Sequence, residues 1–403
     1  MPVNLIKKCC VSGLLALFFL LIIDLAAVFS FHQLYQASQK PFWGDEIHGL
    51  RHSIHQADYH QLLLKGANGQ GSPSPLDYVA VKVLDDVKER VNYFGLTDEV
   101  YFRLFANGVT AFAAVWVILL FAFYISKQDY PLWIKCLQYC LLLGVPFAFY
   151  FTRHVYYYAA EVRPYALWNS LWLVVLAGFL VQDKHWRWFI VSLYLLALTA
   201  TASLFQIGAL TLAYLLWNVR TENIKTLLAR TARIFIGPLC VAFYYALYAG
   251  HWHYPDNPKE WPQFLELWSH EGILLAFMVG GILLCLFHKD NRRLAVIPLA
   301  VILLYCMAPF IFFITKMKGF FYTDRQYIYF DLTQVIFLLI VIRTIPAYLQ
   351  KIKNPGLACV AFVIILWIGQ SAALRPKNCD KFRHTLKNAW ELYCDPSPIQ
   401  RPF

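Results

Sequence analysis

The chain has 403 residues, of which 59% are hydrophobic and only 15% are charged. Soluble domains carry about 25% charged residues, so this composition excludes an ordinary soluble protein and indicates a membrane protein with several spans. The formal net charge of +11 does not indicate a nucleic-acid-binding protein, because the basic residues form no cluster and are spread over short connections between apolar segments.

The first apolar segment covers residues 9–30 and follows Lys7 and Lys8. It has the length of a membrane-spanning helix, which needs about 20 residues. The segment ends in Phe and His rather than at a cleavage site of small residues, so we expect a retained signal anchor and not a cleaved signal peptide.

The hydrophobic pattern predicts an all-α protein with about eleven transmembrane helices. The expected spans are 9–30, 104–125, 133–151, 165–181, 187–201, 203–219, 234–250, 271–287, 294–314, 327–342 and 356–373. The fifth and sixth spans follow each other closely, and they are also compatible with one long helix plus a re-entrant segment. The polar sequence "TATAS" at 199–203 favours a tight hairpin between two helices.

The charges of the short connections predict the orientation of these spans. One alternating set of connections contains sixteen basic and four acidic residues, whereas the short connections of the other set contain six basic residues. The positive-inside rule therefore predicts a multi-pass membrane protein with a cytoplasmic N-terminus and an outer C-terminal tail. The location that we expect, separately from this rule, is a bacterial inner membrane. We divide the chain into a membrane domain, 1–374, and a tail, 375–403.

Two larger polar pieces then lie on the outer face. The loop 31–103 contains amphipathic helical patterns in "IHGLRHSIHQADYHQLLL" and "PLDYVAVKVLDDVKERV", with Ile47, Leu50, Ile54 and Leu62 at broadly helical spacing in the first. The tail contains Cys379 and Cys394. A disulfide between these cysteines is a hypothesis, because an outer location is oxidising.

The conspicuous polar residues also concentrate on the predicted outer connections, which is the distribution expected for a site built from several converging loops. These residues are Asp45 and Glu46, then Glu161, Arg163 and Tyr165, then His251 and His253, and finally Asp324, Arg325 and Tyr327. Each group also has a structural interpretation. The acids are suited to a helix N-terminus, Glu161 and Arg163 to an ion pair, the histidines to an interfacial aromatic belt, and Arg325 to a surface pair with Asp324.

Four segments, in order, resemble motifs of the family 39 group of GT-C membrane glycosyltransferases, which includes protein mannosyltransferases and lipid A aminoarabinose transferases. They are "WGDE", "GSPSPLDYVAVKVL", "YFRLFANGVTAFAAV" and "YYYAAEVRPYALW", and "DRQYIYF" is a weaker fifth match. The chain departs from the family pattern at Ser74 and Asp77, where the family has Pro and Tyr. Pro73 replaces a residue that is often basic or His in the family.

The resemblance implies an enzyme that transfers a sugar from a polyprenyl-phosphate carrier to an acceptor on the outer face, with inversion at the anomeric carbon. In this chemistry a carboxylate accepts the proton of the attacking hydroxyl, and we assign that role to Asp45. Arg163 and Arg325 are expected to neutralise the departing phosphate, because a guanidinium matches phosphate oxygens in a planar fork. Glu46, the second catalytic candidate, is expected to orient the acceptor or to pair with a base.

The remaining candidates for substrate binding are Tyr78, Arg103, Glu161, Tyr165 and Tyr327. No particular cofactor is indicated, and a divalent metal stays open, with Asp45, Glu46, His251 and His253 as weak ligand candidates. The expected partners are the lipid-linked sugar, membrane lipid and an envelope acceptor (protein, lipid or polysaccharide), and no nucleic acid. The alternatives are a transporter or flippase of lipid-linked glycans, and a polymerase or ligase that uses lipid-pyrophosphate glycans.

Overall fold

The protein is described by a computed structural model that covers residues 41–65 except 43, 74–88, 96–150, 152, 155, 158–248, 261–317 and 332–350, with scattered positions between 20 and 38. All described positions between 20 and 38 are helical. The later α-helices are α1 (Gly44–Ile47), α2 (Tyr59–Leu64), α3 (Pro75–Lys88), α4 (Asp98–Ser126), α5 (Leu132–Tyr150), α6 (Tyr165–Leu180), α7 (Gln182–Ala197), α8 (Ser203–Asn218), α9 (Ile224–Thr231), α10 (Gly237–Tyr248), α11 (Trp261–Leu286), α12 (Val296–Met317), α13 (Thr333–Thr344) and α14 (Pro346–Leu349). The described residues contain no strand, as the all-α prediction requires.

Among the described residues, three helical stretches are long and apolar enough to cross a membrane, and they are Asp98–Ser126, Ile224–Leu247 and Lys289–Ile311. The second and third include the π-helical segment Ala232–Ile236 and the 3-10 helix Lys289–Ala295, respectively. Shorter apolar helices include Leu132–Pro146, Tyr165–Leu180 and Thr333–Leu349. Every span predicted between 104 and 342 therefore overlaps a helix, whereas the number of spans stays a prediction.

The sequence "TATAS" separates two helices, as predicted. Helix α7 ends at Ala197 and α8 begins at Ser203, and the two helices are in contact. The hydroxyl of Thr199 donates a hydrogen bond to the carbonyl of Leu196 at 2.6 Å, which satisfies a buried polar group within the turn. Polar residues that bond to nearby carbonyls favour turns over a continuous helix. Because this effect is local, the turn between α7 and α8 could be predicted from the sequence.

The main core lies among the long helices and contains the fully buried side chains of Phe121, Phe149 and Trp172. On the outside of α4, Phe112, Leu119 and Phe123 are exposed by 66%, 39% and 48%. Their spacing places them on one face of the helix. An exposed apolar stripe of this kind is unfavourable in water and is typical of a helix that faces lipid.

Residues 41–105 build a second, smaller core, which we call the loop core. Its buried members include Leu50, Ile54 and Leu62, three of the four residues that were predicted from helical spacing. The helical pattern over 47–64 is divided between two elements, because π-helical His48–Ile54 ends before α2 begins at Tyr59. The carboxylate of Asp58 accepts a hydrogen bond from the Gln61 amide at 2.6 Å and thereby caps the start of α2.

The loop core lies at one end of the long helices. The backbone amide of Leu76 donates to the carbonyl of Leu198 at 3.1 Å, and the hydroxyl of Tyr245 donates to the carbonyl of Leu63. The first bond joins α3 to the α7–α8 turn, and the second joins α10 to α2. Several helices therefore end against the predicted outer loop.

A basic side chain marks the other end. The guanidinium of Arg343 lies 4.6 Å from the ring centre of Tyr124 and donates to the carbonyl of Leu180 at 3.3 Å. Tyr124 follows Arg103 by 21 residues on α4. At 1.5 Å per residue, the two positions are about 31 Å apart along the helix. Arg343 and the loop core therefore lie at opposite ends of α4.

Candidate active site

The site begins with a carboxylate that joins three distant segments. Glu46, at the end of the short helix α1, accepts two hydrogen bonds from Arg103 of α4, from Nε to Oε1 at 3.2 Å and from Nη2 to Oε2 at 2.7 Å. Its Oε1 also accepts from the backbone amide of Val162 at 2.8 Å. The "WGDE", "YFRLF" and "EVRPY" segments therefore meet at one side chain.

The Glu46–Arg103 pair is almost completely buried, with relative side-chain exposures of 0% and 1%. Arg103 also donates to the carbonyl of Pro41 at 3.3 Å, and its guanidinium lies 5.2 Å from the ring centre of Phe42. A buried ion pair is tolerated when the charges are paired and their hydrogen-bonding groups are satisfied, and this geometry meets both conditions. Glu46 and Arg103 thus form a rigid clamp, which we call the Glu46 clamp.

The clamp bears on two of the predicted roles. One of the two roles expected for Glu46 was an ion pair with a basic side chain, and Arg103 is that side chain. Arg103 was expected to contact substrate, but its guanidinium is turned into the protein and occupied by Glu46. Direct substrate contact by Arg103 and a catalytic role for Glu46 remain predictions.

The backbone of Asp45 lies in the same helical turn as Glu46, and its side chain is outside the described part of the structure. The fold therefore places Asp45 next to the clamp, beside the segment that carries Arg163. Its assignment as general base rests on this placement and on the chemistry of the reaction.

A second cluster, which we call the Arg163 cluster, consists of Asp77, Tyr78, Arg163 and Tyr165. The guanidinium of half-buried Arg163 lies 5.6 Å from the ring centre of Tyr165. Asp77 and Tyr78 in the first turn of α3 are each 4% exposed. Because Val162 is bonded to Glu46 and precedes Arg163 in the chain, the clamp holds the backbone next to Arg163 in place.

The electrostatics of the Arg163 cluster are unusual at Asp77. Burial raises the pKa of the Asp77 carboxyl from its ordinary value of 3.8 to about 7, although the positive charge of Arg163 opposes the shift. Burial also raises the pKa of Tyr78, again against the effect of Arg163. At neutral pH, Tyr78 therefore stays a neutral phenol beside the guanidinium.

An aromatic and acidic wall adjoins the cluster. The rings of Tyr158 and Tyr165 have centres 4.6 Å apart, and the side chain of Glu161 is buried at 3% exposure. Tyr78, Glu161, Arg163 and Tyr165, which were selected from the sequence as donor- or substrate-binding residues, therefore lie within two neighbouring segments. A guanidinium with surrounding tyrosines is suited to bind a phosphate and an attached polar group.

The remaining predicted residues lie outside the described residues. These are Arg325, Tyr327, His251, His253, Cys379 and Cys394. Across the described ranges, no group of three or more His, Cys, Asp or Glu side chains is arranged to hold a metal ion.

The chain matches no protein-family model, and no curated protein matches its sequence. The interpretation of the site therefore rests on the geometry of its own residues.

Sequence reasoning missed the importance of Asp77. The residue was noted only as a departure from the resembled motif, yet it is buried beside the arginine that was assigned to the donor phosphate. A carboxylate at a position where Tyr was expected, next to a Pro-Leu pair that starts a helix, was the available signal. The sequence contained no indication that this carboxylate would be buried.

Proposed function

We propose that the protein is an integral membrane glycosyltransferase of the GT-C type, which transfers a sugar from a polyprenyl-phosphate carrier to an acceptor at the outer face of a bacterial inner membrane. The observation that carries this proposal is the Glu46 clamp. It draws together the acidic pair Asp45–Glu46 and the segment that contains Arg163, which are the two components that the reaction requires.

The proposed topology has eleven spans, with the N-terminus in the cytoplasm. Its support is the way in which the helix ends are arranged. Arg343 lies at the end of α4 that is about 31 Å from Arg103. The loop core meets the α7–α8 turn and the α10 end at the other side. The positive-inside assignment requires that successive connections lie alternately at the Arg343 end and at the loop-core end of the helices.

In the proposed mechanism Asp45 accepts the proton of the acceptor hydroxyl as its oxygen attacks the anomeric carbon. The bond between that carbon and the phosphate oxygen breaks, and the carrier leaves as polyprenyl phosphate. Arg163, together with Arg325, stabilises the negative charge that develops on the departing phosphate. Direct displacement of this kind inverts the anomeric centre.

The clamp contributes by restricting the geometry. Glu46 bonds to the backbone at Val162, so the position of Arg163 relative to Asp45 depends on a short, buried path rather than on a mobile loop. Catalytic groups must be held to within about 0.5 Å of the productive geometry to be effective. We therefore assign Glu46 and Arg103 as positioning residues.

The test of the general base is Asp45→Asn, assayed in purified, detergent-solubilised protein with a polyprenyl-phosphate sugar and an envelope-lipid or protein acceptor. General-base catalysis typically contributes about 10²–10⁴-fold, so we expect a rate loss of that order. Asp58→Asn is the matched control, because Asn caps a helix as well as Asp does, and its activity should equal the wild-type value. Undiminished transfer by Asp45→Asn excludes Asp45 as the base.

Solubilised protein also separates the transferase from a flippase. A flippase needs a closed membrane and forms no new glycosidic bond, so a product in detergent contradicts that alternative. Mass spectrometry of envelope glycans and lipids, with and without the gene, identifies the sugar and its acceptor. If no glycan or glycolipid changes and no monosaccharide donor is consumed, the transferase proposal is wrong.

The test of the phosphate site is Arg163→Ala. One charge-assisted hydrogen bond contributes about 1.5–3 kcal/mol, so donor binding should weaken by about 10–150-fold. Arg187→Ala is the control, because Arg187 is exposed near the start of α7, far from the α7–α8 turn. An unchanged donor affinity in Arg163→Ala would favour the structural interpretation of this arginine.

A further inference from the structure

Four buried polar side chains near the starts of α6 and α8 have no role in the mechanism above. They are Asn169, Ser170, Ser203 and Gln206, each at most 3% exposed, and we call them the polar layer. Among the described residues, the hydroxyls of Ser170 and Ser203, Nε2 of Gln206 and both polar atoms of the Asn169 amide have no hydrogen-bond partner. A buried polar group without a partner is unfavourable, so these four side chains require an explanation.

Other polar side chains in the long helices are satisfied within their own helix. The hydroxyls of Thr110, Thr211 and Thr344 donate to the carbonyl four residues earlier, at 2.8, 2.7 and 2.8 Å. In the same way, Nδ2 of Asn218 donates to the carbonyl of Tyr214 at 2.9 Å. A bond of this kind is a common way to satisfy a polar side chain in an apolar helix. Within the described part of the chain, the polar layer does not use it, so its donors and acceptors are available to a bound molecule.

The polar layer lies beside the Arg163 cluster. Asn169 follows Tyr165 by four residues on α6, so it lies on the same face of the helix, about 6 Å further along the axis. The ring of Tyr165 is the one that lies against the guanidinium of Arg163. Next to Asn169, Trp168 donates from Nε1 to Oε1 of Gln206 at 2.7 Å, and this bond joins α6 to α8.

The start of α8 is also held against α3, which carries the rest of the Arg163 cluster. The amide of Leu76 on α3 donates to the carbonyl of Leu198 at 3.1 Å, in the turn that precedes Ser203. The starts of α3, α6 and α8 therefore converge. The Arg163 cluster lies at the loop-core end of this junction, and the polar layer lies about one helical turn further from the loop core.

The polar layer has the composition of a site for an uncharged group with several hydroxyls. Its amides and hydroxyls supply both donors and acceptors, and none of the four side chains carries a charge. A phosphate would favour a cation at this level, whereas sugar hydroxyls pair well with amides and hydroxyls. A sugar also suits the separation of about one turn from Arg163, because it is attached directly to the phosphate of the donor.

We propose that the polar layer binds hydroxyl groups of the donor sugar while Arg163 binds the phosphate to which that sugar is attached. Asn169 then contributes to the choice of sugar, because its amide presents a donor and an acceptor at fixed positions. A buried site that hydrogen-bonds a hydroxyl rejects a ligand that lacks it, since its own polar groups are then left without partners. This inference rests on the proposed function, since it takes Arg163 as the phosphate-binding residue.

The experiment compares probes that share the phosphate and differ in the sugar. The sugar-free probe is the methyl ester of a short-chain polyprenyl phosphate, and the sugar probes are the mannose, glucose, galactose and arabinose diesters of the same phosphate. Each probe is a phosphodiester with one negative charge. Binding to the full-length protein in nanodiscs is measured by isothermal titration calorimetry for wild type, Asn169→Leu, Ser203→Ala, Arg163→Ala and the control Asn218→Leu.

We expect the wild type to bind at least one sugar probe more tightly than the sugar-free probe. Asn169→Leu should weaken binding of that sugar probe by about 5–150-fold, because a sugar hydroxyl loses its buried partner, and should leave the sugar-free probe unchanged. Ser203→Ala should act in the same direction. Asn218→Leu should change neither affinity, because Asn218 is the last residue of α8, at the opposite end from Ser203.

A second measurement needs no sugar. In donor-free protein, Asn169→Leu replaces an amide that lacks a partner with an apolar side chain of similar branched shape, so the midpoint of unfolding by sodium dodecyl sulfate should rise. Asn218→Leu removes a side chain that is hydrogen-bonded, so its midpoint should fall. A purely structural role for Asn169 predicts a lower midpoint in both variants.

Three results would overturn the inference and leave the proposed function intact, provided that the sugar-free probe binds and Arg163→Ala weakens it. The first is a wild type that binds every probe equally. The second is a sugar preference that Asn169→Leu and Ser203→Ala leave unchanged, as expected if the polar layer holds only water. The third is a destabilised Asn169→Leu that loses affinity for all probes alike.

Two further outcomes are decisive. If Asn169→Leu does not fold, Ser203→Ala decides the question, because it removes a single oxygen and its effect must be confined to the sugar probes. A folded wild type that binds no probe contradicts the phosphate site itself, and the inference fails with it.

Discussion

The Glu46 clamp supplies the sharpest prediction about stability. Glu46→Gln keeps the shape of the side chain and an oxygen for the amide of Val162, but it removes the negative charge and replaces the oxygen that accepts from Nη2 of Arg103 with an NH2 donor. Arg103 is then left as a buried cation with 1% of its side chain exposed. Removal of one partner from a buried ion pair costs about 3–5 kcal/mol, so Glu46→Gln should lower the free energy of unfolding by that amount.

A double-mutant cycle separates the interaction energy of the Glu46–Arg103 pair from the other effects of each substitution. Arg103→Met removes the cation and retains much of the volume, and it leaves Glu46 as an uncompensated anion, at a similar cost. In the double variant neither charge remains. Its destabilisation should therefore be smaller than the sum of the two single values, with a coupling energy of about 2 kcal/mol or more.

The measurement is reversible unfolding by sodium dodecyl sulfate in mixed micelles, and the matched control is the pair between Lys88 and Asp98. This pair has a short distance of 2.6 Å but exposures of 25% and 44%, so solvent screens it. Asp98→Asn should cost less than about 1 kcal/mol. Equal costs for Glu46→Gln and Asp98→Asn, or additive values in the cycle, would refute the description of the clamp as a buried, energetically coupled ion pair.

Two further predictions concern Asp77 and two glycines. The raised pKa of Asp77 means that the folded state holds its proton more strongly than the unfolded state, so stability falls as pH rises from about 4 to about 7, by up to about 4 kcal/mol. Asp77→Asn should remove this fall, and identical unfolding curves for both proteins at pH 5 and pH 8 would contradict the burial of the carboxyl. At Gly237 an added Cβ would overlap the hydroxyl of Tyr194, so Gly237→Ala should destabilise by about 1–3 kcal/mol. Gly108 has no atom within 4 Å of an added Cβ, so Gly108→Ala should stabilise α4 by up to about 1 kcal/mol, and thermal unfolding that ranks the two variants in the opposite order would contradict this packing.

Much of the secondary structure was predictable because it depends on local patterns. Apolar runs of spanning length and the polar "TATAS" sequence place α4 to α8 to within a few residues. In the loop, the spacing of Leu50, Ile54 and Leu62 predicted which side chains are buried. The same spacing did not predict the break at 55–58, because a π-helical turn and the Asp58 cap compete with a continuous helix and the apolar pattern is nearly the same in both cases.

The roles within the site were harder to predict than its members. Glu46 meets Arg103 across 57 residues and Val162 across 116, and no local pattern encodes such contacts. From the sequence, Asp45 and Glu46 were equivalent neighbours. The tertiary structure distinguishes them, because it commits the Glu46 carboxylate to three hydrogen bonds inside the protein.

By itself, the sequence determined that the chain is helical, rich in apolar segments of spanning length and polarised in charge, because these properties are sums over neighbouring residues. Only the tertiary structure decided which charges are buried and what lies opposite them. The free energy of a buried charge depends on its partner, and the partners of Glu46 and Asp77 come from distant parts of the chain. The acidic pair at 45–46 therefore contains one residue held in a clamp and one residue, Asp45, proposed for chemistry.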